Sequence, residues 1–280
     1  MRAADGPDMV GSRLEKVGAR FFHSVTAGFF FTNAWYSLVS KLDKHAEATF
    51  LNYGYAGPDD ETIELEPHLE ANRYAIQLYH HVVSRVALAG KDVLEVGCGR
   101  GGGASYVART MNPRRFVGLD INKSAIDFDR SFYKAQKNLE FIVGDAQAMP
   151  LPDESVDVAL NVESSHHYSD ISRFFGEVHR VLRPGGTFLM ACFPRKNEPS
   201  FLRGLLDRSR LRCILEEDIT HNVVRALEID SARRAEAVRR LCPAPLQTFG
   251  REFAGVRGSE LYDSFVSGKQ HYLNFVLQKA

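Results

Sequence analysis

A cluster of glycines is the part of the sequence best suited to hold a ligand against the main chain. Residues 93–103 read VLEVGCGRGGG, so an apolar run ends at Gly97, Gly99 and Gly101, with Cys98 between the first two. Glycine adopts positive φ angles and lets a ligand approach where a Cβ would block it. A strand, a glycine turn and a helix in this order are typical of nucleotide-type sites, although a plain tight turn would give the same pattern.

Two acidic side chains accompany this turn. Glu95 lies two residues before the first glycine, where a carboxylate suits a cationic amino-acid moiety better than a pyrophosphate. Asp120 ends the next apolar run, 116–119, and follows Gly101 by nineteen residues. That spacing is expected of an acid that accepts hydrogen bonds from ribose hydroxyls. The two acids therefore favour a ligand with a ribose and a cationic group.

Alternating apolar and amphipathic segments must position these residues. Strands are predicted at 93–96, 116–119, 139–143, 156–162, 187–193 and 271–279, and helices at 65–89, 104–110, 124–135, 169–182 and 259–266. Such alternation predicts a parallel sheet with helices on both faces. Ligands on this kind of sheet bind beyond the carboxyl ends of the strands. Glu95, Asp120, Asp145 and the residues after Val162 all fall at those ends.

Several motifs together resemble those of the class I S-adenosylmethionine-dependent methyltransferases. The glycine turn and Asp120 match the first two motifs, GDA at 144–146 matches the third, and VLRPGG at 181–186 matches the turn before the fifth strand. The resemblance extends over residues 65–193. It implies an α/β, Rossmann-like sheet of seven strands that is mostly parallel, with the last strand antiparallel and a helical cap at the N-terminus.

The same resemblance implies S-adenosylmethionine as the cofactor. Asp145 would accept from the adenine amino group, and the next main-chain N–H would meet the adenine ring. A dinucleotide would explain the glycines and Asp120 but not the other motifs. The residues predicted to contact the cofactor are Glu95, Gly97, Cys98, Gly99, Gly101, Asp120, Ile121, Asp145, Ala146 and Asn161.

Three further segments are similar to the phthiotriolone dimycocerosate methyltransferases and their relatives that act on lipids and polyketides. These segments are GGGASY at 101–106, NVESSHHY at 161–168 and FAGVRGSELY at 253–262. Members of that group are O-methyltransferases. The resemblance therefore implies O-methylation of a hydroxyl on a hydrophobic small molecule. The N-terminal cap matches much less well, so the exact substrate stays open.

Methyl transfer to a hydroxyl is helped by a base that removes the proton, and positioning of the reactants contributes much of the rate. Histidine titrates near neutral pH and suits this task. We predict His166 as the base, with His167 as the second candidate and Glu163 orienting the base or the substrate. Alternatively, Glu163 and Asn161 hold the methionine end of the cofactor and one histidine caps the following helix.

Aromatic residues near the predicted site could contact the substrate. The segment FLNYGY at 50–55 resembles a segment that folds over cofactor and substrate in small-molecule methyltransferases. It supplies Tyr53 and Tyr55, and Tyr168 follows the histidines; ordinary packing of a cap is the other interpretation of the segment. With Glu163, these tyrosines could also stabilise a cation during C-methylation of an alkene or activated carbon, which is the main alternative reaction.

Two alternatives concern the class of protein. A non-catalytic S-adenosylmethionine-binding protein is disfavoured by the intact glycine turn, the two acids and the histidine loop. A nucleic-acid methyltransferase is disfavoured because 35 Lys and Arg balance 35 Asp and Glu, and because no N/D-P-P-Y/F tetrapeptide follows the fourth strand. The four cysteines form no C-x-x-C pair, so we predict no metal site and reduced thiols in the cytoplasm.

We predict a helical cap with a mobile N-terminus over residues 1–67 and a methyltransferase domain over 68–280 with a helical insertion at 195–248. Residues 21–40 lack charged side chains and are rich in phenylalanine, but they contain too many polar residues for a membrane span. We expect them to form part of the cap, with peripheral membrane contact as the alternative. The sequence leaves a homodimer open.

Overall fold

Seven strands form a single sheet at the centre of the computed structural model, which describes residues 43, 48–58, 63–194 and 199–280. The strands are β1 (Asp92–Val96), β2 (Arg115–Asp120), β3 (Leu139–Val143), β4 (Val156–Val162), β5 (Leu182–Cys192), β6 (Leu211–Asp218) and β7 (Leu273–Lys279). Their order is β3-β2-β1-β4-β5-β7-β6, and β7 runs antiparallel to both neighbours while the pairs among β1 to β5 are parallel. The predicted sheet is confirmed.

Eight α-helices of the described chain pack around this sheet. They are α1 (Arg73–Val83), α2 (Gly102–Thr110), α3 (Lys123–Phe132), α4 (Ile171–Val181), α5 (Pro199–Arg208), α6 (Thr220–Leu241), α7 (Gln247–Phe253) and α8 (Glu260–Val266). Short 3-10 helices cover Pro67–Asn72, Ser165–His167 and Ala244–Leu246. Local capping fixes three of the starts: the side chain of Asn122 accepts from the first turn of α3, that of Asp170 from the first turn of α4, and that of Ser259 from the first turn of α8.

Alternate residues of the central strands point to opposite faces of the sheet, and each face carries its own core. Val93 packs on the side of α1 and α2, while Leu94 packs on the side of α4 together with Phe174. Every residue of β1 is buried, which is typical of a parallel strand covered on both faces. Because Glu95 lies two residues after Val93, its side chain points toward α1, which places an acid beneath the helix that precedes the sheet.

The predicted helical insertion at 195–248 is wrong in its middle. Strand β6 occupies Leu211–Asp218 and pairs with β7 along its length. It is an edge strand whose residues are mostly exposed or half-buried, so its sequence lacks the apolar run that identified the inner strands. The helices on either side of it, α5 and α6, agree with the prediction.

Other boundaries also differ from the predictions. The predicted helix at 65–89 starts as a 3-10 turn and its α-helical part ends at Val83. The fifth strand begins at Leu182 rather than residue 187. Residues 21–40 lie outside the described part of the chain, as does most of the predicted cap. No helix in the described ranges is long and apolar enough to cross a membrane.

Candidate active site

A cleft with about 1080 Å³ of empty volume opens at the carboxyl ends of the parallel strands, as the sequence predicted. The described residues that line it come from 49–52, the glycine turn, the ends of β2, β3 and β4, and the loop after β4. They include Asn52, Tyr79, Gly97, Cys98, Gly99, Arg100, Gly103, Asp120, Ile121, Asp145, Ala146, Gln147, Glu163, Ser164, His167 and Tyr168.

Three glycines of the turn have φ angles in the left-handed region, and the space around each of them differs. Gly97 has φ +77°, and a Cβ there would lie 2.1 Å from Oγ of Ser164. Gly99 has φ +56° and faces open space, because the nearest atom to a Cβ at this position would be Cδ1 of Leu51 at 3.9 Å. Gly101 has φ +69° and packs against aromatic rings outside the cleft lining. Gly99 is therefore the position that leaves main chain accessible to a ligand.

Asp120 holds the turn and reaches the cleft at the same time. Its Oδ2 accepts from the main-chain N–H of Gly99 at 2.9 Å, and its Oδ1 accepts from that of Asn122 at 2.8 Å. Burial raises the pKa of its carboxyl, and these two hydrogen bonds oppose the rise. The next residue, Ile121, is 47% exposed and lines the cleft as well. The geometry thus leaves the predicted ribose contact of Asp120 available.

Glu95 lies behind the cleft wall rather than in it. Its side chain has no exposed surface, and its Oε1 accepts from the hydroxyl of Tyr79 at 2.7 Å. Its Oε2 is buried without a hydrogen-bond partner, and burial raises the pKa of the carboxyl to about 8. Tyr79 itself lines the cleft, so it stands between the ligand space and the acid. Sequence reasoning missed this tyrosine, because it lies on the helix before the motifs.

The end of β3 supplies the third predicted acid. Asp145 lines the cleft together with Ala146 and Gln147. Its Oδ1 accepts from the main-chain N–H of Gln147 at 2.8 Å, which orients the carboxylate at the turn. Asp145 and Ala146 thus line the cleft, and their contact with an adenine ring stays a prediction.

The loop after β4 brings Glu163 into the cleft with an unusual main chain. Its φ is +51°, which is rare for a residue other than glycine. Its Oε1 accepts from the main-chain N–H of Tyr53 at 2.7 Å and from the hydroxyl of Tyr272 at 2.8 Å. Burial raises the pKa of this carboxyl to about 7, while those two bonds and the nearby charge of Arg234 oppose the rise.

The two histidines that follow Glu163 differ in their positions. His167 lines the cleft, whereas His166 is absent from its lining. The ring of His166 packs on Phe193 with centroids 4.2 Å apart, and on His167 with centroids 4.0 Å apart. The role of His166 as base stays a prediction, and His167 is the histidine that the fold places nearer to the ligand space.

Asn161 connects two of the elements that form the cleft. It is fully buried outside the cleft lining, and its Nδ2 donates to the carbonyl of Val96 at 2.9 Å and to Oγ of Ser164 at 2.7 Å. Tyr168, whose hydroxyl lies 2.8 Å from the same Oγ, does line the cleft. Asn161 therefore ties the end of β1 to the loop after β4, a role that its residue type did not reveal.

Tyr53 and Tyr55, predicted to contact the substrate, are packed into the protein and are absent from the cleft lining. Tyr53 packs on Phe193 with centroids 5.4 Å apart, and Tyr55 stacks on His81 at 4.2 Å. The preceding residues 49–52 line the cleft instead. The segment does lie over the site, but with different residues than predicted.

Arg100 is a cleft residue that sequence reasoning did not single out, although it lies within the glycine turn. Its guanidinium forms an ion pair with Asp43 at 3.0 Å, and both side chains are 1% exposed. It also lies over the ring of Phe128, 3.8 Å from the centroid. The pair joins the turn to a residue 57 positions earlier in the chain.

The described residues contain no group of three or more metal-ligating side chains.

Comparison with known proteins places this cleft in a family. Residues 94–190 match the family model of a methyltransferase domain. The phthiotriol/phenolphthiotriol dimycocerosates methyltransferase of Mycobacterium tuberculosis is 39% identical over 245 residues, which cover 88% of this chain and 90% of the relative. The fatty-acid O-methyltransferase of Mycolicibacterium smegmatis is 42% identical over 223 residues, which cover 79% of this chain and 81% of the relative.

A solved structure shares the fold. The geranyl diphosphate C-methyltransferase of Streptomyces coelicolor A3(2), solved with S-adenosyl-L-homocysteine, aligns with a TM-score of 0.62 at 18% identity, covering 87% of this chain and 97% of that one. At this level of identity the likeness shows a common architecture and does not report on the reaction.

Proposed function

The chain belongs to the class I S-adenosylmethionine-dependent methyltransferases, and from that premise we propose that it O-methylates a hydroxyl group of a lipid or a similar hydrophobic molecule. The mycobacterial relatives support a hydrophobic acceptor, because one is named for phthiotriol dimycocerosates and another for fatty acids. These two names differ in the acceptor group that they suggest. The charges of the cleft help to choose between a hydroxyl and a carboxylate.

The residues present suit S-adenosylmethionine, which supplies an electrophilic methyl group when bound. Gly99 leaves room where a side chain would stand, and Asp120 and Asp145 offer acceptors for ribose and adenine. Tyr79, which is held by its hydrogen bond to the buried Glu95, adds an aromatic ring to the lining. These features support the cofactor assignment residue by residue.

The observation that carries the hydroxyl assignment is the charge of the cleft lining. Its acids are Asp120, Asp145 and Glu163, and its one lysine or arginine among the described residues is Arg100. The guanidinium of Arg100 is already paired with Asp43. A carboxylate acceptor near Glu163 would therefore meet like charge, and no lysine or arginine of the described lining is available to balance it. A neutral hydroxyl enters such a site at lower cost, and an acidic group there can accept its proton.

Assistance by a base from the loop after β4 is part of this proposal. The histidine predicted from the sequence as the base, His166, lies behind His167 relative to the cleft lining. Glu163 and His167 both line the cleft, so these two are the groups that can meet an acceptor hydroxyl.

The test compares two acceptors of equal chain length, 1-hexadecanol and palmitate, with the purified chain and S-adenosylmethionine labelled in the methyl group. Binding of S-adenosylhomocysteine, measured by calorimetry, first establishes that the protein is competent for the cofactor. We expect label in the methyl ether of the alcohol, identified by mass spectrometry. Label only in the methyl ester of palmitate would show that the acceptor group is a carboxylate and not a hydroxyl.

A further inference from the structure

We propose that Glu163, rather than a histidine, accepts the proton of the acceptor hydroxyl during methyl transfer. This inference rests on the proposed function, because a hydroxyl acceptor must lose a proton whereas a carboxylate has none to lose. Glu163 lies directly after β4 at the carboxyl edge of the sheet, and its side chain lines the cleft. Four observations on this residue support the assignment.

The first observation is that the two oxygens of Glu163 have different surroundings. Oε1 accepts from the main-chain N–H of Tyr53 at 2.7 Å and from the hydroxyl of Tyr272 at 2.8 Å. Oε2 receives no hydrogen bond from any residue within the described ranges. One oxygen is thus fixed by two donors from separate parts of the chain, which leaves the other able to meet a hydroxyl.

The second observation is that helix α6 holds the segment that carries one of the two donors, the main-chain N–H of Tyr53. Arg234 of α6 donates to the main-chain carbonyls of Asn52 and Tyr53, at 3.1 and 3.0 Å. The same guanidinium pairs with Asp230 one turn earlier in α6, at 3.1 Å. Helix α6 therefore fixes the segment whose N–H holds Oε1 of Glu163. Such support is expected around a carboxylate that must keep one orientation.

The third observation is the main chain of Glu163. A φ of +51° is unfavourable for a glutamate, and it persists here while the N–H of the residue donates to the carbonyl of Ala191 at 2.9 Å. Strained residues that their surroundings hold in place are concentrated at active sites. The unusual φ therefore occurs at a residue that lines the cleft.

The fourth observation is the electrostatic setting. Burial raises the pKa of Glu163 to about 7, so the carboxylate is both populated near neutral pH and ready to take up a proton. The groups that act on it are the main-chain N–H of Tyr53, the hydroxyl of Tyr272 and the charge of Arg234, and it interacts electrostatically with Tyr79. His166 and His167 follow it in the same loop. The hydrogen bond from Tyr272 and the charge of Arg234 favour the carboxylate and limit the rise of its pKa.

Atoms and charge balance in the proposed step. The hydroxyl oxygen forms a bond to the methyl carbon, and the bond between methyl and sulfur breaks with its electron pair staying on sulfur. The hydroxyl proton passes to Oε2 of Glu163. The carboxylate becomes a neutral acid as the positive charge of the sulfonium is lost, so no net charge is left on the reacting groups. A later exchange with solvent returns the carboxylate.

The test measures kcat against pH with 1-hexadecanol for the wild type and for Glu163→Gln, Tyr272→Phe and His167→Gln. Glutamine keeps the oxygen that accepts from Tyr53 and Tyr272, so the fold should hold. We expect the wild-type kcat to fall as the pH drops below about 7, which gives the pH profile an acidic limb. Glu163→Gln should lower kcat by about 10²–10⁴-fold and abolish this limb. Tyr272→Phe should move the limb to higher pH, because the hydrogen bond that is lost lowers the pKa of Glu163 in the wild type. His167→Gln should keep the acidic limb in place.

The outcomes separate this inference from the proposed function. If the wild type methylates palmitate and not the alcohol, the proposed function fails and the base assignment fails with it. If the wild type methylates the alcohol while Glu163→Gln keeps its rate, or while His167→Gln is the variant that removes the acidic limb, the base assignment alone is wrong. Binding of S-adenosylhomocysteine and thermal unfolding of each variant show that a lost rate does not come from a lost fold.

Discussion

The hydroxyl of Tyr79 donates a 2.7 Å hydrogen bond to Glu95, whose side chain has no exposed surface. Tyr79 belongs to α1 and Glu95 to β1, so the bond connects the helix before the sheet with the strand that leads into the glycine turn. The tyrosine lines the cleft and the acid lies behind it. The pair therefore couples the protonation of a buried group to the wall of the cleft.

This buried acid predicts a specific dependence of stability on pH. The pKa of Glu95 is raised from 4.5 to about 8, so between these values the folded chain keeps a proton that the unfolded chain has released. The contribution of this group to the free energy of unfolding is therefore largest below pH 4.5 and falls as the pH rises through 8. Glu95→Gln removes this dependence. The free energy of unfolding of the variant, taken relative to that of the wild type, should therefore increase from about pH 6 to about pH 9.

Urea denaturation of both proteins without cofactor, at about pH 6, 7.5 and 9, measures this difference. Glu140→Gln provides the control, because Glu140 is an exposed acid that pairs with Arg115 on the surface of the same sheet. Its effect should not change over this pH range. Parallel curves for wild type and Glu95→Gln would show that the carboxyl of Glu95 is already ionised in the folded state.

Two glycine-to-alanine substitutions should have opposite effects. A Cβ at Gly103 would lie 1.9 Å from the ring of Tyr79, and this ring cannot move without losing its bond to Glu95. Gly176 lies on the exposed side of α4 with no atom near a Cβ position. We expect Gly103→Ala to destabilise the fold and weaken binding of S-adenosylhomocysteine, and Gly176→Ala to stabilise it by about 0.5–1 kcal/mol. Thermal unfolding and calorimetry check both, and a Gly103→Ala protein with wild-type binding would contradict the packing argument.

The parts of the fold that could be predicted from the sequence are those that local patterns report. The inner strands are continuous apolar runs because both of their faces are covered, and the acids at their ends could be assigned to one edge by topology alone. Strand β6 has no such run, because as an edge strand it is held mainly by pairing with β7. Its identity depends on a distant partner, since Leu211 pairs with Lys279 next to the end of the chain.

The parts of the site that escaped prediction depend on contacts between distant residues. Tyr53 carries a residue type suited to a substrate, yet it packs on Phe193 and only its main-chain N–H reaches the site. The pairing of Arg100 with Asp43 and the bond from Tyr79 to Glu95 link segments that no motif connects. Residue types and spacing show which groups could bind a cofactor, whereas the fold decides which of them reach the cleft.

The buried ion pair of Arg100 and Asp43 should behave differently when one partner or both are replaced. Both side chains are 1% exposed, so Arg100→Met removes the guanidinium from beside a buried carboxylate that otherwise accepts from the main-chain N–H of Ala48. The loss in such cases is about 3–5 kcal/mol, because the remaining charge is not solvated. We expect Arg100→Met combined with Asp43→Leu to recover most of that loss. Urea denaturation of the two single variants and the double variant measures the coupling, and additive losses would show that the two groups do not act as a pair.

Asp120 should matter more for cofactor binding than a neighbouring acid on the surface. It accepts from Gly99 at 2.9 Å and lines the cleft, so Asp120→Ala removes both a support of the turn and the predicted acceptor for ribose. We expect binding of S-adenosylhomocysteine to weaken by about 1–3 kcal/mol, which is roughly 5- to 150-fold in Kd. Asp127→Ala is the matched control, because Asp127 lies seven residues later on the exposed side of α3, where it pairs with Lys123.

Calorimetric titration of the wild type and both variants gives the three dissociation constants under one condition. Thermal unfolding of the same samples shows whether the turn survives without the carboxylate of Asp120. A Kd for Asp120→Ala equal to that of Asp127→Ala would show that Asp120 does not contribute to cofactor binding and that its role is limited to the hydrogen bond with Gly99. A selective loss in a folded protein would instead show that Asp120 contributes to cofactor binding, by contact with the nucleoside or by holding Gly99, because the control removes the same charge from the same region.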